Sequence, residues 1–444
     1  MQPQALPGFR DFYPADLALR EHIFRTWRAV AARYGFEEYD GPPLEPLELY
    51  TEKSGEEIVG QLYAFTDKGG REVALRPEMT PTLARMVAAR ANGLRKPIRW
   101  FSIPQLFRYE RQQRGRLREH FQLNCDLIGE PGHLGDAEIV ALAIDAVRAF
   151  GLGPEDVRVR LSDRRLLTAL LAGLGVSEAQ VPVVYQVFDK IRRTPEEVSI
   201  AKLSGVGIPG ATIERLLDLA RLGSWPELQR AGGGLAAALE QGEPLRLTLE
   251  ALQALGYGEY LDLDLGIVRG LAYYTGTVFE LFDARGELRA ICGGGRYDNL
   301  LGAIAGTGLP ALGFGMGDVV LRELLADRGL LPEPSNRIEY YLVAVTPELR
   351  PDLLRLGHRL REAGNAVEYG LRHQNVGKQL KAADAVGARK AIILGPDEMA
   401  EGLVVIRALE TGEEVRVPLA RLAGGHEPRI EIPDGKRLVH SPES

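Results

Sequence analysis

Cysteine is almost absent from this chain, which has two among its 444 residues, Cys125 and Cys292. Each lies within an apolar stretch, and two are too few for a disulfide framework, so the sequence indicates a reducing compartment. The seven histidines are scattered, and neither an HExxH nor a CxxC motif occurs. A zinc ion held by the protein is therefore not expected.

Long apolar runs are also missing, because no uninterrupted apolar segment approaches the roughly 20 residues that cross a bilayer. The first residues, MQPQALPGFRDFYPAD, lack the basic start and apolar stretch of a secretory signal. The formal net charge of −7 argues against a nonspecific polycation, so any nucleic-acid surface has to be a local basic patch. These absences predict a soluble cytoplasmic protein without a membrane partner.

What the sequence does contain is an alternation of helical and strand patterns over a length that suggests two or three domains. Residues 17–34 have apolar positions at helical spacing, and residues 98–129 are predicted to form a long hairpin. The segment 160–255 is rich in leucine and alanine and is predicted to be a helical insertion. After the break LPEPSNR, residues 331–337, strands and helices alternate as in an α/β unit.

The stretch FRYERQQRGRLREHFQLNCD, residues 107–126, gathers positive charge beside a half-buried strand. Arg108 lies near the end of the outgoing strand. On the returning strand Gln122, Asn124 and Asp126 share one face, because successive side chains of a strand point to opposite sides. A guanidinium fork near a carboxylate suits a ligand that is both anionic and cationic. The pattern fits a solvated sheet face with a basic loop equally well, and chemistry alone leaves both interpretations open.

Two later stretches combine glycines with arginine and aromatic residues. In LGIVRGLAYYTGTVFE an extended chain places Arg269, Tyr273 and Thr275 on one side, although the aromatic pair alone also fits a hydrophobic core. CGGGRYD lets backbone amides approach a phosphate or sugar beside Arg296, although three glycines equally form a turn. Neither this stretch nor the similar GFGMGD matches a phosphate-binding P-loop.

The stretch LRPEMTPTLARMVAARA contains the start of a helix. Thr80 is predicted to cap this helix, and Pro81 to occupy its first position. Glu78 and Thr80 therefore lie at the mouth of the helix rather than inside it.

Five collinear motifs together resemble the class II aminoacyl-tRNA synthetases, and among these the histidyl-tRNA synthetases. FRYERQQRGRLREHFQ is similar to the family's arginine-bearing hairpin, and DGPPLEP to its dimer-interface motif. LRPEMTPTLAR is similar to the amino-acid-binding segment. RGLAYYTGTVFE and GGGRYDNL are similar to the two histidine-specific signatures. Beyond the break, NVGKQLKAADAVGARKAIILG resembles the anticodon-binding domain that the histidine, proline, threonine and glycine enzymes share. The resemblance covers nearly the whole chain.

The resemblance implies an α+β fold, in which helices flank an antiparallel sheet core, with a helical insertion and a C-terminal α/β anticodon-binding domain. The expected ranges are 1–160 and 259–330 for the core, 161–258 for the insertion, 337–425 for the anticodon-binding domain and 426–444 for a tail. The resemblance also implies a homodimer that uses ATP and Mg²⁺ to activate L-histidine and then transfers the histidine to tRNA(His).

The resemblance further assigns roles to residues of the matched motifs. Arg108 and Arg269 are the implied catalytic residues, which stabilise the charge that develops on the α-phosphate. The implied histidine-binding residues are Glu78, Met79, Thr80, Arg108, Gln122, Asp126, Arg269, Tyr273 and Tyr274. The implied ATP-binding residues are Arg108, Glu110, Arg116, Phe121 and Arg296.

Within those sets the implied roles differ. Asp126 with Tyr273 and Tyr274 reads the imidazole ring, and Phe121 is the face on which adenine stacks. The hairpin-loop arginines are expected to meet the triphosphate or the tRNA end, and they are Arg111, Arg114, Arg116 and Arg118. Mg²⁺ is carried by ATP, so no metal site on the protein is expected.

The sequence departs from the family pattern in three places. Val320 stands where the third class II motif has the arginine that grips the γ-phosphate, so Arg322 or Arg296 has to replace it. Ala272 stands where an aspartate is more usual, and Asp126 where many members have glutamate. The first departure bears on ATP affinity and turnover, because it removes a cation from the nucleotide site.

Two other functions compete with this interpretation. One is a regulatory paralogue, the synthetase-like subunit of ATP phosphoribosyltransferase, which binds histidine without charging tRNA. Such subunits usually lack the anticodon domain and part of the catalytic arginines, whereas this chain retains Arg108, Arg269 and a C-terminal α/β segment. The other is a synthetase for proline, threonine or glycine, against which RGLAYYTG argues because its aromatic residues suit an imidazole better than a small side chain.

Overall fold

The computed structural model describes residues 4–51, 59–111, 113–191, 194–232, 234–267, 274–286, 288–306, 308–332 and 338–422. The chain divides into two compact units, residues 1–332 and 333–444. The division falls between Pro332 and Glu333, within the stretch LPEPSNR.

The first unit is built on a mixed β-sheet. The strands of this unit are β1 (Glu37–Glu38), β2 (Leu44–Pro46), β3 (Tyr63–Thr66), β4 (Glu72–Leu75), β5 (Ile98–Ser102), β6 (Gln105–Phe107), β7 (Glu119–Ile128), β8 (Val157–Asp163), β9 (Leu261–Leu263), β10 (Thr277–Asp283), β11 (Cys292–Arg296) and β12 (Ala311–Gly317). Within the described residues the large sheet has the order β1-β5-β7-β12-β11-β10-β8-β9, and β6 also pairs with β7. The pairs β1–β5 and β8–β9 are parallel, and the others are antiparallel. Strands β2, β4 and β3 form a separate small sheet.

Helices cover this sheet and fill the leucine-rich middle of the chain. They are α1 (Pro14–Arg33), α2 (Glu48–Thr51), α3 (Thr80–Ala88), α4 (His133–Arg148), α5 (Arg164–Gly173), α6 (Val181–Lys190), α7 (Glu196–Gly205), α8 (Gly210–Arg221), α9 (Trp225–Ala231), α10 (Ala236–Glu240), α11 (Glu243–Ala254), α12 (Leu300–Ala305) and α13 (Asp318–Asp327), with a short 3₁₀ turn at Gly258–Tyr260. Among the described residues, no helix is both long enough and apolar enough to cross a membrane.

The predicted hairpin is confirmed. Strands β5 and β6 both run antiparallel to β7, with Trp100 opposite Asp126 and Leu106 opposite His120. Because β7 is continuous over ten residues, its side chains alternate without interruption between the two faces of the sheet. This alternation places the polar side chains of Gln122, Asn124 and Asp126 on one face of β7, where they line the cavity described below.

The core of the first unit lies beneath the sheet and continues into the helical middle. Leu123 and Leu127 of β7 pack in the same cluster as Trp27 of α1, which is completely buried. Leu166 and Leu170 of α5 belong to that cluster as well. The middle helices therefore share one core with the sheet. Burial of each such leucine stabilises this core by about 1.5–3 kcal/mol.

The second unit is an α/β domain, as predicted from the strand and helix patterns. Its elements are β13 (Tyr340–Ala344), α14 (Arg350–Glu362), β14 (Val367–Tyr369), α15 (Val376–Ala385), β15 (Lys390–Leu394), α16 (Pro396–Ala400), β16 (Leu403–Ala408), β17 (Glu414–Pro418) and α17 (Leu419–Leu422), with a 3₁₀ turn at Pro347–Leu349. Its sheet has the order β14-β13-β15-β16-β17, in which the first three strands are parallel. The α+β class predicted for the whole chain is therefore confirmed.

Candidate active site

A cavity of about 280 Å³ opens on the large sheet of the first unit. Four strands, β7, β10, β11 and β12, contribute to its walls, together with the start of α3. Its lining residues are Glu78, Thr80, Arg108, Gln122, Asn124, Asp126, Tyr274, Phe279, Glu280, Gly293, Gly294, Tyr297, Gly313, Phe314 and Gly315. Six residues that the sequence assigned to histidine binding thus line one cavity: Glu78, Thr80, Arg108, Gln122, Asp126 and Tyr274.

Strand β7 brings three polar side chains to the cavity through its two-residue period. Gln122, Asn124 and Asp126 all line it, and the amide of Asn124 donates a hydrogen bond to the carbonyl of Gln122 at 3.1 Å. The sequence had grouped these three on one face, but it had given Asn124 no role. Asn124 could have been predicted from the sequence, because it lies between Gln122 and Asp126 on the same face of the strand.

Glycines on β12 leave the room that these side chains occupy. A Cβ atom at Gly315 would lie 2.6 Å from the Cδ atom of Gln122, and one at Gly313 would overlap the carboxylate of Asp126. Any other residue at either position would displace a polar group from the cavity. The alternating glycines of GFGMG are therefore explained by side-chain space rather than by a turn.

The glycines of CGGGRYD also lie within a strand. Residues Cys292–Arg296 form β11, and Gly293 and Gly294 line the cavity. A Cβ atom at Gly294 would lie 2.5 Å from the carbonyl oxygen of Gly313 and 2.6 Å from the Cβ atom of Phe314. Close packing of neighbouring strands, and not a turn, is the reason for glycine at this position.

Asp126 is one of two buried acids of the cavity, with 4% of its surface exposed. Burial raises the pKa of its carboxyl group to about 7, and a hydrogen bond from the hydroxyl group of Tyr297 to Oδ1 opposes that rise. Tyr297 was quoted within a signature motif but received no role from the sequence. The structure adds it to the site through this hydrogen bond.

Tyr274 contributes a second phenol to the cavity. Its pKa is raised first by burial and then by nearby acidic groups, among them Glu78 and Asp126. Glu280 of β10 also lines the cavity and was missed by the sequence analysis. With Glu78, Asp126 and Glu280 beside Arg108, the lining carries more acids than cations, which suits a ligand with an ammonium group.

Arg108 and the mouth of α3 meet at one side of the cavity. The Nε atom of Arg108 donates to the carbonyl of Pro77 at 2.9 Å, while Glu78, which follows Pro77, is 3% exposed. Among the described residues Arg108 forms no ion pair with a carboxylate. Its positive charge is therefore available to an anionic ligand.

The predicted cap of α3 is wrong by one position. The helix begins at Thr80 rather than at Pro81, Met79 occupies the cap position, and no side chain caps the first turn. The hydroxyl group of Thr80 is thus left to the cavity that it lines. Met79, which was also predicted to bind histidine, is 1% exposed and does not line the cavity.

Phe121 does not face the cavity, which corrects its predicted role in stacking adenine. The strand alternation turns it to the core side, where its ring contacts Phe12 and Phe24 at centroid distances of 6.1 and 5.1 Å. By strand alternation His120 lies on the same face of β7 as Gln122, although it is not among the residues that line the cavity. Burial and the positive charges of Arg108 and Arg10 lower the pKa of His120 to about 3, so its ring is neutral at pH 7.

Arg296 does not lie in the cavity lining either, although it was predicted to bind ATP. Its side chain is almost completely buried, and all five N–H groups of the guanidinium are engaged. They bond to the carboxylates of Asp136 and Asp298 and to the carbonyls of Glu130 and Gly132. We assign Arg296 a structural role, because no donor remains for a phosphate.

The position of the absent motif 3 arginine is filled by an apolar contact. Val320 is buried, and a Cβ atom at Gly115 in the hairpin loop would lie 3.3 Å from its Cγ2 atom. Arg322, the other predicted replacement, pairs with Asp16 at 3.0 Å. Neither predicted replacement therefore offers an unengaged guanidinium to a triphosphate.

Two arginines of the hairpin loop pair with carboxylates of the chain. Arg116 pairs with Glu110, and Arg114 pairs with Glu323 and Asp327 of α13, each at 3.3 Å. Arg118 donates to the carbonyl of Glu110. Glu110 and Arg116, both predicted to bind ATP, thus lie outside the cavity lining and contact each other.

Two predicted site residues fall outside the described residues, namely Arg269 and Tyr273. Ala272, at which the sequence departs from the family signature, also lies there. Of the four residues on which the sequence interpretation depended most, Arg108 and Asp126 line one cavity. The roles of Arg269 and Tyr273 stay predictions. No group of three or more His, Cys, Asp or Glu side chains that could hold a metal ion occurs among the described residues.

Comparisons with known proteins agree with the motifs. A family model described as "Histidyl-tRNA synthetase" matches residues 8–318, and one described as "Anticodon binding domain" matches residues 339–425. A protein named "Histidine--tRNA ligase" from Opitutus terrae is 47% identical over 94% of this chain and 96% of its own length. A protein of the same name from Halobacterium salinarum is 38% identical over 96% of this chain and 98% of its own length.

The fold has a close counterpart among solved structures. The crystal structure of histidyl-tRNA synthetase from Nostoc sp. PCC 7120 superposes with a TM-score of 0.82 and 27% sequence identity. The superposition covers 96% of this chain and 99% of the Nostoc chain. Both units of the present chain therefore have counterparts in one protein of that description.

Proposed function

Because the chain belongs to the histidyl-tRNA synthetase family, we propose that it activates L-histidine with ATP and transfers the histidine to tRNA(His). The observation that carries this proposal is the cavity in which Arg108, Glu78 and Asp126 converge. A guanidinium there suits the carboxylate and phosphate that react, and two buried acids suit the ammonium and imidazole groups of histidine. A solvated sheet face, the alternative left open by the sequence, would not enclose these groups.

In the first step the histidine carboxylate attacks the α-phosphorus of ATP. A carboxylate oxygen–phosphorus bond forms, the bond to the β-phosphate oxygen breaks, and pyrophosphate leaves with the electron pair. The step brings two anions together, so Arg108, and Arg269 in the same role, would stabilise the charge that develops on phosphorus. Mg²⁺ would arrive with ATP as part of the substrate and neutralise the leaving pyrophosphate.

In the second step a ribose hydroxyl of the terminal adenosine of tRNA attacks the histidyl carbonyl carbon. The new ester bond forms as the bond to AMP breaks, and AMP leaves with the electron pair and takes up the proton that the hydroxyl group loses. The unit over 338–422, which matches the anticodon-binding model, would bind the anticodon end of the same tRNA. The loop arginines Arg111, Arg114, Arg116 and Arg118 would meet the acceptor end, because single-stranded RNA ends suit such a cationic surface.

Different cavity residues would bind different groups of the histidine substrate. Glu78, Thr80 and Gln122 would hold the α-amino group, and Asp126 with Tyr274 and Tyr273 would read the imidazole. A site built to hydrogen-bond a side chain rejects analogues that lack the hydrogen-bonding groups by about 10⁴–10⁵. Such a pocket would exclude proline, threonine and glycine.

We propose His120, in place of Phe121, as the ring on which adenine stacks. His120 lies on the cavity side of β7, and its lowered pKa keeps the ring uncharged at neutral pH. An uncharged aromatic ring is suited to stacking on a base. We expect His120→Ala to raise the KM for ATP about tenfold, on the basis of about 1–3 kcal/mol per stacked base, and to leave the KM for histidine unchanged.

The test of the function has two stages, each with a defined outcome. Histidine-dependent exchange of pyrophosphate with ATP measures the first step, and charging of tRNA(His) measures the second. Exchange followed by charging supports a histidine–tRNA ligase, whereas histidine binding without charging supports the regulatory paralogue. Exchange driven by proline, threonine or glycine, but not by histidine, would remove the histidine assignment.

The family pattern also suggests a cytoplasmic homodimer. The motif DGPPLEP, residues 40–46, resembles the dimer-interface motif of class II synthetases. Sedimentation equilibrium of the purified chain, whose subunit mass is 48.7 kDa, distinguishes a dimer from a monomer.

A further inference from the structure

The floor of the cavity contains a hydrogen bond that the proposed roles leave unexplained. The hydroxyl group of Tyr297, which follows β11, donates to Oδ1 of Asp126 on β7. Both residues are buried, with 2% and 4% of their surfaces exposed, and both line the cavity. A buried phenol that is bonded to a buried carboxylate controls which oxygen of that carboxylate can accept another donor.

The surroundings of Asp126 bring strand β12 close to one oxygen of this carboxylate. A Cβ atom at Gly313 would overlap Oδ1, so β12 comes close to the carboxylate on the side where Tyr297 binds. Among the described residues, no hydrogen bond to Oδ2 is formed. Within the described part of the chain, one oxygen is therefore held by Tyr297 and the other accepts no hydrogen bond.

We propose that Tyr297 is a positioning residue for histidine recognition, because it holds Oδ1 of Asp126 and thereby presents Oδ2 to an N–H group of the substrate imidazole. The inference rests on the proposed function, since it concerns the part of the cavity that reads the histidine side chain. Tyr297 itself acts through Asp126 and does not take part in bond making or breaking.

The charge of Asp126 gives the proposal a measurable consequence. The carboxyl pKa is raised by burial to about 7 and is held from rising further by the bond from Tyr297. Removal of that bond raises the pKa again, so Asp126 is protonated at neutral pH and no longer accepts from the imidazole. Activity with histidine should then require a higher pH.

The other titratable groups near Asp126 come from several elements. Tyr39, Cys125 and Tyr274 all have pKa values raised by burial, so they stay uncharged between pH 6 and 9. Glu78, Glu280 and Arg108 line the same cavity. Because Tyr297→Phe changes none of these groups, and the substrate titrates identically in both proteins, a shift between wild type and variant reports on Asp126.

The experiment measures kcat/KM for histidine by pyrophosphate exchange from pH 6 to 9.5, since this ratio reports groups of the free enzyme. The acid limb is the part of the pH profile over which kcat/KM rises as Asp126 loses its proton. For Tyr297→Phe we expect this acid limb to move to higher pH by about one to two units. The corresponding loss is at least about tenfold at pH 6.5 and small at pH 9.5. The KM for ATP should not change.

Two further variants separate positioning from a general structural effect. Tyr39→Phe removes another buried phenol near Asp126 that does not bond to it, and should leave the acid limb in place. In an Asp126→Asn background, Tyr297→Phe should cause no further pH-dependent loss, as a double-mutant cycle requires for two groups that act as a unit.

Incorporation of 3-fluorotyrosine at position 297 covers the possibility that Tyr297→Phe folds poorly. Fluorine makes the phenol a stronger donor at nearly constant volume, so the acid limb should move to lower pH. An acid limb that does not move in either protein, or a loss of the same factor at every pH, would overturn the proposal. If wild type itself shows no histidine-dependent exchange, the proposed function fails before any variant is compared.

Discussion

The cavity and the tip of the hairpin differ in how their charges are paired. In the cavity Arg108 forms no carboxylate pair among the described residues, and the hydrogen bond that those residues give to Asp126 reaches only one of its oxygens. At the tip Arg114 and Arg116 are paired with acids of the chain itself. In the proposed function the cavity would bind a small ligand directly, whereas the tip would exchange ion pairs when it binds phosphate.

The difference follows from what holds each region. Most of the cavity wall is formed by adjacent strands of one sheet, where glycines of β12 leave space for Gln122 and Asp126. The ion pairs of Arg114 at the tip are partly exposed, and exposed pairs contribute only about 0.2–1 kcal/mol. A highly charged ligand can replace such pairs at little cost. In the proposed function, recognition of histidine would therefore be rigid, and recognition of nucleotide and tRNA would depend on exchange of partners.

The largest expected effect comes from removing Arg108, the cavity cation for which the described part of the chain supplies no carboxylate partner. Arg108→Ala should lower the rate of histidine-dependent exchange by about 10²–10³, because one preorganised donor to the developing charge is lost. Arg269→Ala should abolish activation in the same assay. Both variants should melt at the temperature of wild type, and near-normal exchange in either would discredit the proposed site.

The second effect concerns Asp126 and pH. Its pKa of about 7 means that the carboxylate is charged above this pH and is lost as an acceptor when the pH falls through it. Wild-type kcat/KM for histidine should therefore decrease below pH 7. Asp126→Asn should lower kcat/KM by about 10²-fold at pH 8, since hydrogen bonds to charged groups contribute about 1.5–3 kcal/mol, and should flatten this limb. An unchanged limb would show that another group titrates.

The third effect tests the space that glycine provides. Gly315→Ala places a methyl group 2.6 Å from Gln122, so we expect the KM for histidine to rise about tenfold because an overpacked site typically costs 1–3 kcal/mol. Gly317→Ala is the matched control on the same strand, since a Cβ atom there has no neighbour within 4 Å. Equal effects of the two variants would indicate a general weakening of β12.

The smallest effect is expected at the hairpin tip. Glu323→Gln keeps an acceptor for the amide of Gly115 but removes the negative charge that pairs with Arg114. Arg114 then keeps only its pair with Asp327 among the described residues. The KM for ATP, or for tRNA in the charging assay, should therefore fall by about two- to fivefold, the range that an exposed ion pair allows. A rise in both KM values would mean that the pair orders the loop for binding instead of competing with it.

The sequence alone predicted several of the side chains that line the cavity. The alternation in FQLNCD placed Gln122 and Asp126 together, and the motif that contains Glu78 and Thr80 placed them at the mouth of a helix. The same alternation argued against Phe121 as a cavity residue, and it was overridden by the resemblance to a family motif. His120 carries the cavity-side position because the face of a strand is decided by parity alone.

Two of the arginines that were predicted to meet phosphate are engaged within the protein, and for the same reason. Arg296 follows three glycines and looked available for phosphate, but its partner Asp136 lies 160 positions away in the chain. Arg322 likewise pairs with Asp16 across 306 positions. No local pattern reports such partners, because a guanidinium on a long side chain takes whichever carboxylate the fold brings close.

By itself the sequence determined the family and the order of helices and strands. Periodicity, turn residues and motifs each extend over only a few positions, so they can be recognised in the sequence. Only the tertiary structure decided which charges stay available to a ligand and which are neutralised within the protein. It also decided that Tyr297 bonds to Asp126 and that Gly313 and Gly315 leave room for the side chains of β7. Electrostatic pairing and packing depend on distance in space, and for most of these residues that distance is unrelated to separation along the chain.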